Sequence, residues 1–281
     1  MRKILLFLLI ATFAFSCSKS DSDIETKPEV TIPDETKPVD FNTPHNGYYK
    51  SVTGYGQAGL KTVLHNLIKG HTELEYTDNS SDMDVWRALE QTDEDPNNSD
   101  NVILLYLGTS IPKASKAQNN QNDYWNREHV WAKSRGDFGT SRGAGTDLHH
   151  LRPADKTVNS ARGNKWFDNG GNFHSEAKDC KTDSDSWEPR AAVKGDIARM
   201  MFYMAVRYEA EGGLDLELTN APVDDKSPDH GVLSTLLEWN KLDPVDAFET
   251  KRNETIYTIQ GNRNPFIDFP DFANYIFVAD N

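Results

Sequence analysis

An adjacent carboxylate and imidazole, Glu128 and His129, lie in the run Tyr124-Trp125-Asn126-Arg127-Glu128-His129-Val130-Trp131. The pair can supply a hard-metal ligand and a general base, because neutral imidazole, with a reference pKa of about 6.5, accepts protons near neutral pH. After a Gly-rich loop the chain continues Asp147-Leu148-His149-His150-Leu151-Arg152-Pro153-Ala154-Asp155, then Lys156-Thr157-Val158-Asn159-Ser160-Ala161-Arg162-Gly163-Asn164. Pro153 and Asp155 read as a helix start and Gly163-Asn164 as its stop. On that short helix Asn159 and Arg162 are i, i+3, so an amide and a guanidinium leave from one side. A carboxylate oxygen plus an amide oxygen, with positions left for water and phosphate, suits Mg²⁺ better than Zn²⁺. The alternative is a zinc site built from His129, His149 and His150, which would need three or four N/S ligands closed around the ion. Alternation with Leu148 and Leu151 on a strand lets at most one of His149 and His150 face the site, and packed roles are expected for both. Asp147 is expected to orient a histidine or the hairpin.

These residues need a scaffold, and the sequence outlines one. Leu60, Val63, Leu64, Leu67 and Ile68 follow the spacing of an amphipathic helix, and a second short helix is expected over 83–89, capped by Ser81 or Asp82. Val102 to Leu107 is a continuous apolar run that reads as a buried strand. The stripe Ile197, Met200, Met201, Met204, Ala205 and Tyr208 marks a helix over 196–208 whose methionines are core. Further helices are expected over 232–240 and 245–259, the latter with Asp243 as cap and Pro244 in its first turn. The pattern is α+β. Trp125 and Trp131 are expected at core or rim, and the acidic run 82–100 as solvated surface.

The chain has 281 residues, 37% of them hydrophobic, with Trp 6, Tyr 10 and Phe 13, which excludes fibrous and wholly disordered classes. Residues 4–15 are apolar apart from Thr12, and as a helix these would rise only about 18 Å, short of a roughly 30 Å bilayer core. Behind Arg2 and Lys3 they read as a secretory signal. Phe15-Ser16-Cys17-Ser18 resembles a bacterial lipoprotein cleavage box, so 1–17 is expected to be a lipoprotein signal with Cys17 lipidated. Asp21 and Asp23 look like an export tag of surface lipoproteins. Residues 18–44, with two Lys-Pro steps and little apolar periodicity, read as an acidic tether, and the folded domain as 45–281. Cys180 is the only other cysteine and is read as a plain thiol.

The segments Glu128-His129-Val130-Trp131, Asp147 to Asp155 and Asn159-x-x-Arg162-Gly163-Asn164, in that order, resemble the endonuclease I family of exported bacterial nucleases. That family belongs to the His-Me finger (ββα-metal) group. Lys194-Gly195-Asp196-Ile197-Ala198-Arg199 and Gln260-Gly261-Asn262-Arg263-Asn264-Pro265-Phe266 extend the resemblance over most of the chain. It implies a central ββα motif in which His129 is the general base and Glu128 and Asn159 hold one divalent ion. Mg²⁺ is the expected cofactor, with Mn²⁺ or Ca²⁺ as alternatives. It also implies sequence-nonspecific cleavage of DNA and RNA to 5′-phosphate and 3′-hydroxyl ends by a monomer, while the cleavage box at Cys17 separately implies an outer-membrane lipid anchor, on the cell surface or the periplasmic face, or release from it. Arg162 is assigned to catalysis through phosphate contact, and Arg152, Arg127 and Lys156 to substrate phosphates. Both neighbours on a regular strand cannot face one phosphate, so the strand must bend, bulge or end at Glu128-His129. A non-catalytic surface lipoprotein that binds a polymer or scavenged ligand is the competing reading, against which Glu128, His129 and Asn159 stand together.

Net charge is −14, which read as a total argues against a nucleic-acid partner. Its distribution argues the other way. Between Arg127 and Lys165 eight basic residues face four acidic ones, a local excess of +4 in an otherwise acidic body.

Overall fold

The computed structural model describes residues 41–53, 57–78, 80, 82–117, 124–223 and 226–277. The signal segment, Cys17 and residues 18–40 lie outside the described residues. Packing begins at Phe41, whose ring meets Phe269 and Phe272 at 5.3 and 5.8 Å between centroids. No helix among the described residues is long and apolar enough to cross a membrane.

Two helices come first, α1 (Gln57–Ile68) and α2 (Val85–Thr92), then a three-stranded antiparallel sheet of β1 (Glu94–Asp95), β2 (Asn98–Ile103) and β3 (Ser110–Pro112). The centre of the chain forms β4 (Trp125–His129), β5 (Leu151–Asp155) and α3 (Lys156–Arg162). A small sheet follows from β6 (Trp166–Phe167), β7 (Asn172–Phe173), β8 (Lys181–Thr182) and β9 (Ser186–Glu188), ordered β6-β9-β8-β7. The rest is helical: α4 (Lys194–Arg207), α5 (Leu233–Leu242), α6 (Ala247–Gln260), α7 (Pro265–Asp268) and α8 (Phe272–Ile276). The fold is α+β, as expected.

Helix α4 is the central pillar. Every residue from Gly195 to Arg207 is buried, and α1, α5 and α7 pack around it. Its methionines sit in the main apolar cluster. A second cluster gathers Val85, Trp86 and Leu89 of α2 with Trp125, Leu148, Leu151 and Ile256.

β4 and β5 pair antiparallel, from Trp125 opposite Asp155 to His129 opposite Leu151, and α3 follows directly. That is a ββα unit. Trp125 and Leu151 root it in the smaller cluster, while Val130, Trp131, Ala154 and Val158 root it in the larger one. Both tryptophans are core. Asp155 caps α3, accepting from the backbone N–H groups of Thr157 and Val158 at 2.8 and 3.1 Å, and Gly163 ends it at φ 60°, ψ −118°.

Several sequence expectations shift. The strand expected over 102–107 stops at Ile103, and Leu104 to Leu107 turn back towards β3. α2 is capped by Asp84, and α6 by Asp246, because those carboxylates reach the third amide of each helix. Residues 147–150 form a turn, so strand alternation never applied to His149 and His150. The acidic run is only partly solvated: Asp84, Asp93 and Asp95 are buried, Asp93 as the partner of Arg152 and Arg252.

Candidate active site

Among the described residues β5 is the one strand that pairs along β4, the other edge of β4 being bridged by Lys116 at Trp125 alone, and β4 ends at His129. Residues from both of its faces therefore line one cavity of about 530 Å³: Asn126 and Glu128 with Arg127 and His129. Asn159 and Gly163 of the α3 end, Lys133 and Tyr76 complete the part of that wall that matters chemically. Termination of the strand resolves the conflict between neighbouring residues that a regular strand would have imposed.

Glu128 is 2% exposed. Its Oε1 accepts from the Tyr106 hydroxyl at 2.6 Å and from Arg162 Nη1 at 2.9 Å, and neither bond uses Oε2. Burial pushes the carboxyl above its usual value, against the opposing pull of the Arg162 charge and the Tyr106 bond. An acid held this way is costly to keep charged unless a further cation completes its surroundings.

His129 Nε2 lies 3.0 Å from the carbonyl oxygen of Gly145. A carbonyl only accepts, so the neutral ring carries its proton on Nε2 and keeps Nδ1 as a lone pair. Burial, then the neighbouring His150 ring, then Lys133 and Arg127, hold His129 well below the usual imidazole value. It is a neutral base at physiological pH. Gly145 is required for this contact, since a Cβ there would stand 2.5 Å from Ser141 O.

Asn159 projects from α3, and its Nδ2 donates to Asn126 Oδ1 at 2.8 Å. A carboxylate oxygen and an amide oxygen on one cavity wall fit a hard divalent ion that keeps several waters. The zinc alternative does not assemble. The rings of His129, His149 and His150 bring no three nitrogens close enough to share one ion, and the Nε2 atoms of the buried His149 and His150 meet the carbonyls of Asn262 and Ala144. Both are packed, as expected. Among the described residues the one close group of three or more metal-type ligands is Glu209, Asp215 and Glu217, on the protein's surface and bridged by Lys61.

Two arginines expected at phosphate are elsewhere. Arg162 is fully buried beneath the site, where it holds Glu128, the carbonyls of His129 and Val130, and His230 Nε2. It fixes the Glu128 carboxylate from below, and a side chain enclosed in this way offers no surface to a phosphate. Arg152 is 1% exposed and paired with Asp93 and, at 3.1 Å, Asp196. Arg127 does line the cavity, clamped between the rings of Tyr76 and Trp86 with its carbon 3.4 and 4.1 Å from their centroids. Lys156 opens α3, half-buried, and is not part of the cavity wall. Tyr106, Asn126 and Lys133 are site residues that sequence reasoning did not single out for a role. Asn126 alone carried a local signal, its i−2 spacing from Glu128 on a strand. Cys180 is buried and free, and burial raises its thiol to about 11, in keeping with a plain thiol. Asp147 binds Tyr203, Tyr208, Gln260 and the His149 amide, and so ties the turn before β5 to α4 and α6.

Residues 56–271 match the family Endonuclease I. The chain is 57% identical over 231 residues to the extracellular ribonuclease of Bacillus subtilis (strain 168), covering 82% of this chain and 77% of that protein. It is 56% identical to the extracellular ribonuclease of Bacillus amyloliquefaciens over the same shares. An extracellular deoxyribonuclease of Aeromonas hydrophila is 31% identical over 127 residues, 43% of this chain and 48% of that protein. The chain is a member of the endonuclease I family, an enzyme that hydrolyses nucleic acids.

Proposed function

We propose that the protein is a metal-dependent, sequence-nonspecific endonuclease of RNA and DNA that acts after export. One observation carries this reading: Glu128, His129 and Asn159 converge on one cavity, with His129 kept neutral by burial and its tautomer fixed by the Gly145 carbonyl. Glu128 and Asn159 would hold a divalent ion, Mg²⁺ by the hardness of their oxygens. Bound there, it supplies charge neutralisation at the scissile phosphate and at the leaving 3′-oxygen. His129 Nδ1 takes the proton of the attacking water. The water oxygen joins phosphorus and the P–O3′ bond breaks, which leaves 5′-phosphate and 3′-hydroxyl ends. Tyr106 and Arg162 keep Glu128 in place, and Arg127 and Lys133 supply positive charge on the cavity wall.

The higher identity to proteins named ribonucleases supports RNA as a substrate, and the deoxyribonucleases support DNA. The extracellular and periplasmic names of the relatives support export, and the Cys17 segment supports attachment to the outer membrane through lipid. The test is digestion of defined RNA and DNA oligonucleotides with Mg²⁺ or with EDTA, followed by analysis of the ends. Expected are EDTA-sensitive cuts whose 3′-ends a polymerase extends. Cleavage unaffected by EDTA, or 3′-phosphate ends, would overturn the proposal.

A further inference from the structure

Asn126 stands two residues ahead of Glu128 on β4, so it leaves the strand on the same face. α3 lies against both strands, and across that contact Asn159 Nδ2 donates to Asn126 Oδ1 at 2.8 Å, linking residues 33 positions apart. A primary amide has a donor end and an acceptor end, and a cation binds only the acceptor end. The terminal torsion of an asparagine has two broad wells, so a free Asn159 would turn its NH₂ into the cavity in a large share of its rotamers. The donor end is already committed to β4. The oxygen end is thereby left for the cavity that both asparagines line.

We propose that Asn126 is a positioning residue that selects the metal-binding orientation of the Asn159 amide. The inference rests on the metal reading given above. In this role Asn126 acts through its hydrogen bond to Asn159. Loss of the acceptor at position 126 frees the Asn159 torsion and weakens ion binding without touching either ligand. Outer partners of metal ligands typically account for about 10–100-fold in affinity.

The experiment measures Mn²⁺ binding to the full chain by electron paramagnetic resonance of free Mn²⁺, alongside thermal melting, for wild type, Asn126→Ala, Asn126→Asp, Asn126→Val and Glu128→Gln. Asn126→Val suits strand geometry and repeats the deletion should the alanine variant fold poorly. Expected is a loss of about 10–100-fold for Asn126→Ala and Asn126→Val with the fold retained, and wild-type or tighter binding for Asn126→Asp, whose carboxylate accepts the same hydrogen bond. Wild-type affinity in Asn126→Ala or Asn126→Val, or Asn126→Asp as weak as those two, would overturn the inference. If wild type binds no Mn²⁺, or Glu128→Gln binds it as well as wild type, the metal reading itself fails and the inference goes with it.

Discussion

Removal of one oxygen atom, in Tyr106→Phe, isolates how Glu128 is held. The Tyr106 ring is 1% exposed and meets Trp187 edge-on at 5.2 Å, and phenylalanine keeps that packing. What disappears is the 2.6 Å bond to Glu128 Oε1, one of the two side-chain donors on a carboxylate whose side chain is 3% exposed. A hydrogen bond to a buried charged group contributes about 1.5–3 kcal/mol, and the substitution leaves no orphaned donor behind. At 1.4 kcal/mol per factor of ten, Mg²⁺ affinity should fall about 10–100-fold, because the ionised carboxylate is what the ion needs. The carboxyl, already pushed up by burial, should rise further. Initial rates measured against Mg²⁺ concentration, with calorimetric titration of Mg²⁺ and a melting curve, separate the effects. The expected outcome is a raised Mg²⁺ midpoint, near-normal rate at saturating Mg²⁺ and a modest drop in Tm. An unchanged midpoint together with a large drop in Tm would refute the reasoning and make Tyr106 a packing residue only.

Three further outcomes follow from the same geometry. Burial holds His149 and His150 down to about 4, against an unfolded value of about 6.5, so between those values the unfolded chain binds more protons. Stability should therefore be complete above pH 6.5 and fall by on the order of 3 kcal/mol per histidine as pH drops towards 4. Denaturant melts at pH 7.5 and 4.5 check this, and equal midpoints would contradict it. Arg162→Met removes the countercharge of a buried carboxylate and should cost about 3–5 kcal/mol, seen as a Tm loss far larger than in Arg127→Ala. Arg127→Ala should instead weaken nucleic-acid binding and lower the slope of log affinity against log salt by about one, and an unchanged slope would remove Arg127 from phosphate contact.

The ββα unit was legible because its signals are local. A capping aspartate, a glycine stop and an apolar rhythm all lie within a few residues of the elements they define. The same holds for Glu128, His129 and Asn159, which share one cavity. The arginines were not legible in this way. Arg152 and Arg162 sit in basic, motif-rich sequence that invites phosphate contact, but their partners Asp93 and Glu128 are 59 and 34 residues away. Nothing local reveals that a guanidinium is enclosed by distant acids. Flanking Leu148 and Leu151 give the two histidines the rhythm of a strand, yet Asp147 fixes a turn there through its bond to the His149 amide. Tyr106 was hidden by the opposite error: it lies in an apolar run that reads as core, and its hydroxyl finds Glu128 only through the tertiary fold.

The most direct test of the central claim is the single-turnover rate of His129→Ala at saturating Mg²⁺ on a defined RNA and a defined duplex DNA. A positioned general base contributes about 10²–10⁴-fold, and the loss should appear in the chemical step with substrate binding retained. A variant that cuts at the wild-type rate would contradict the assignment of His129 as the base.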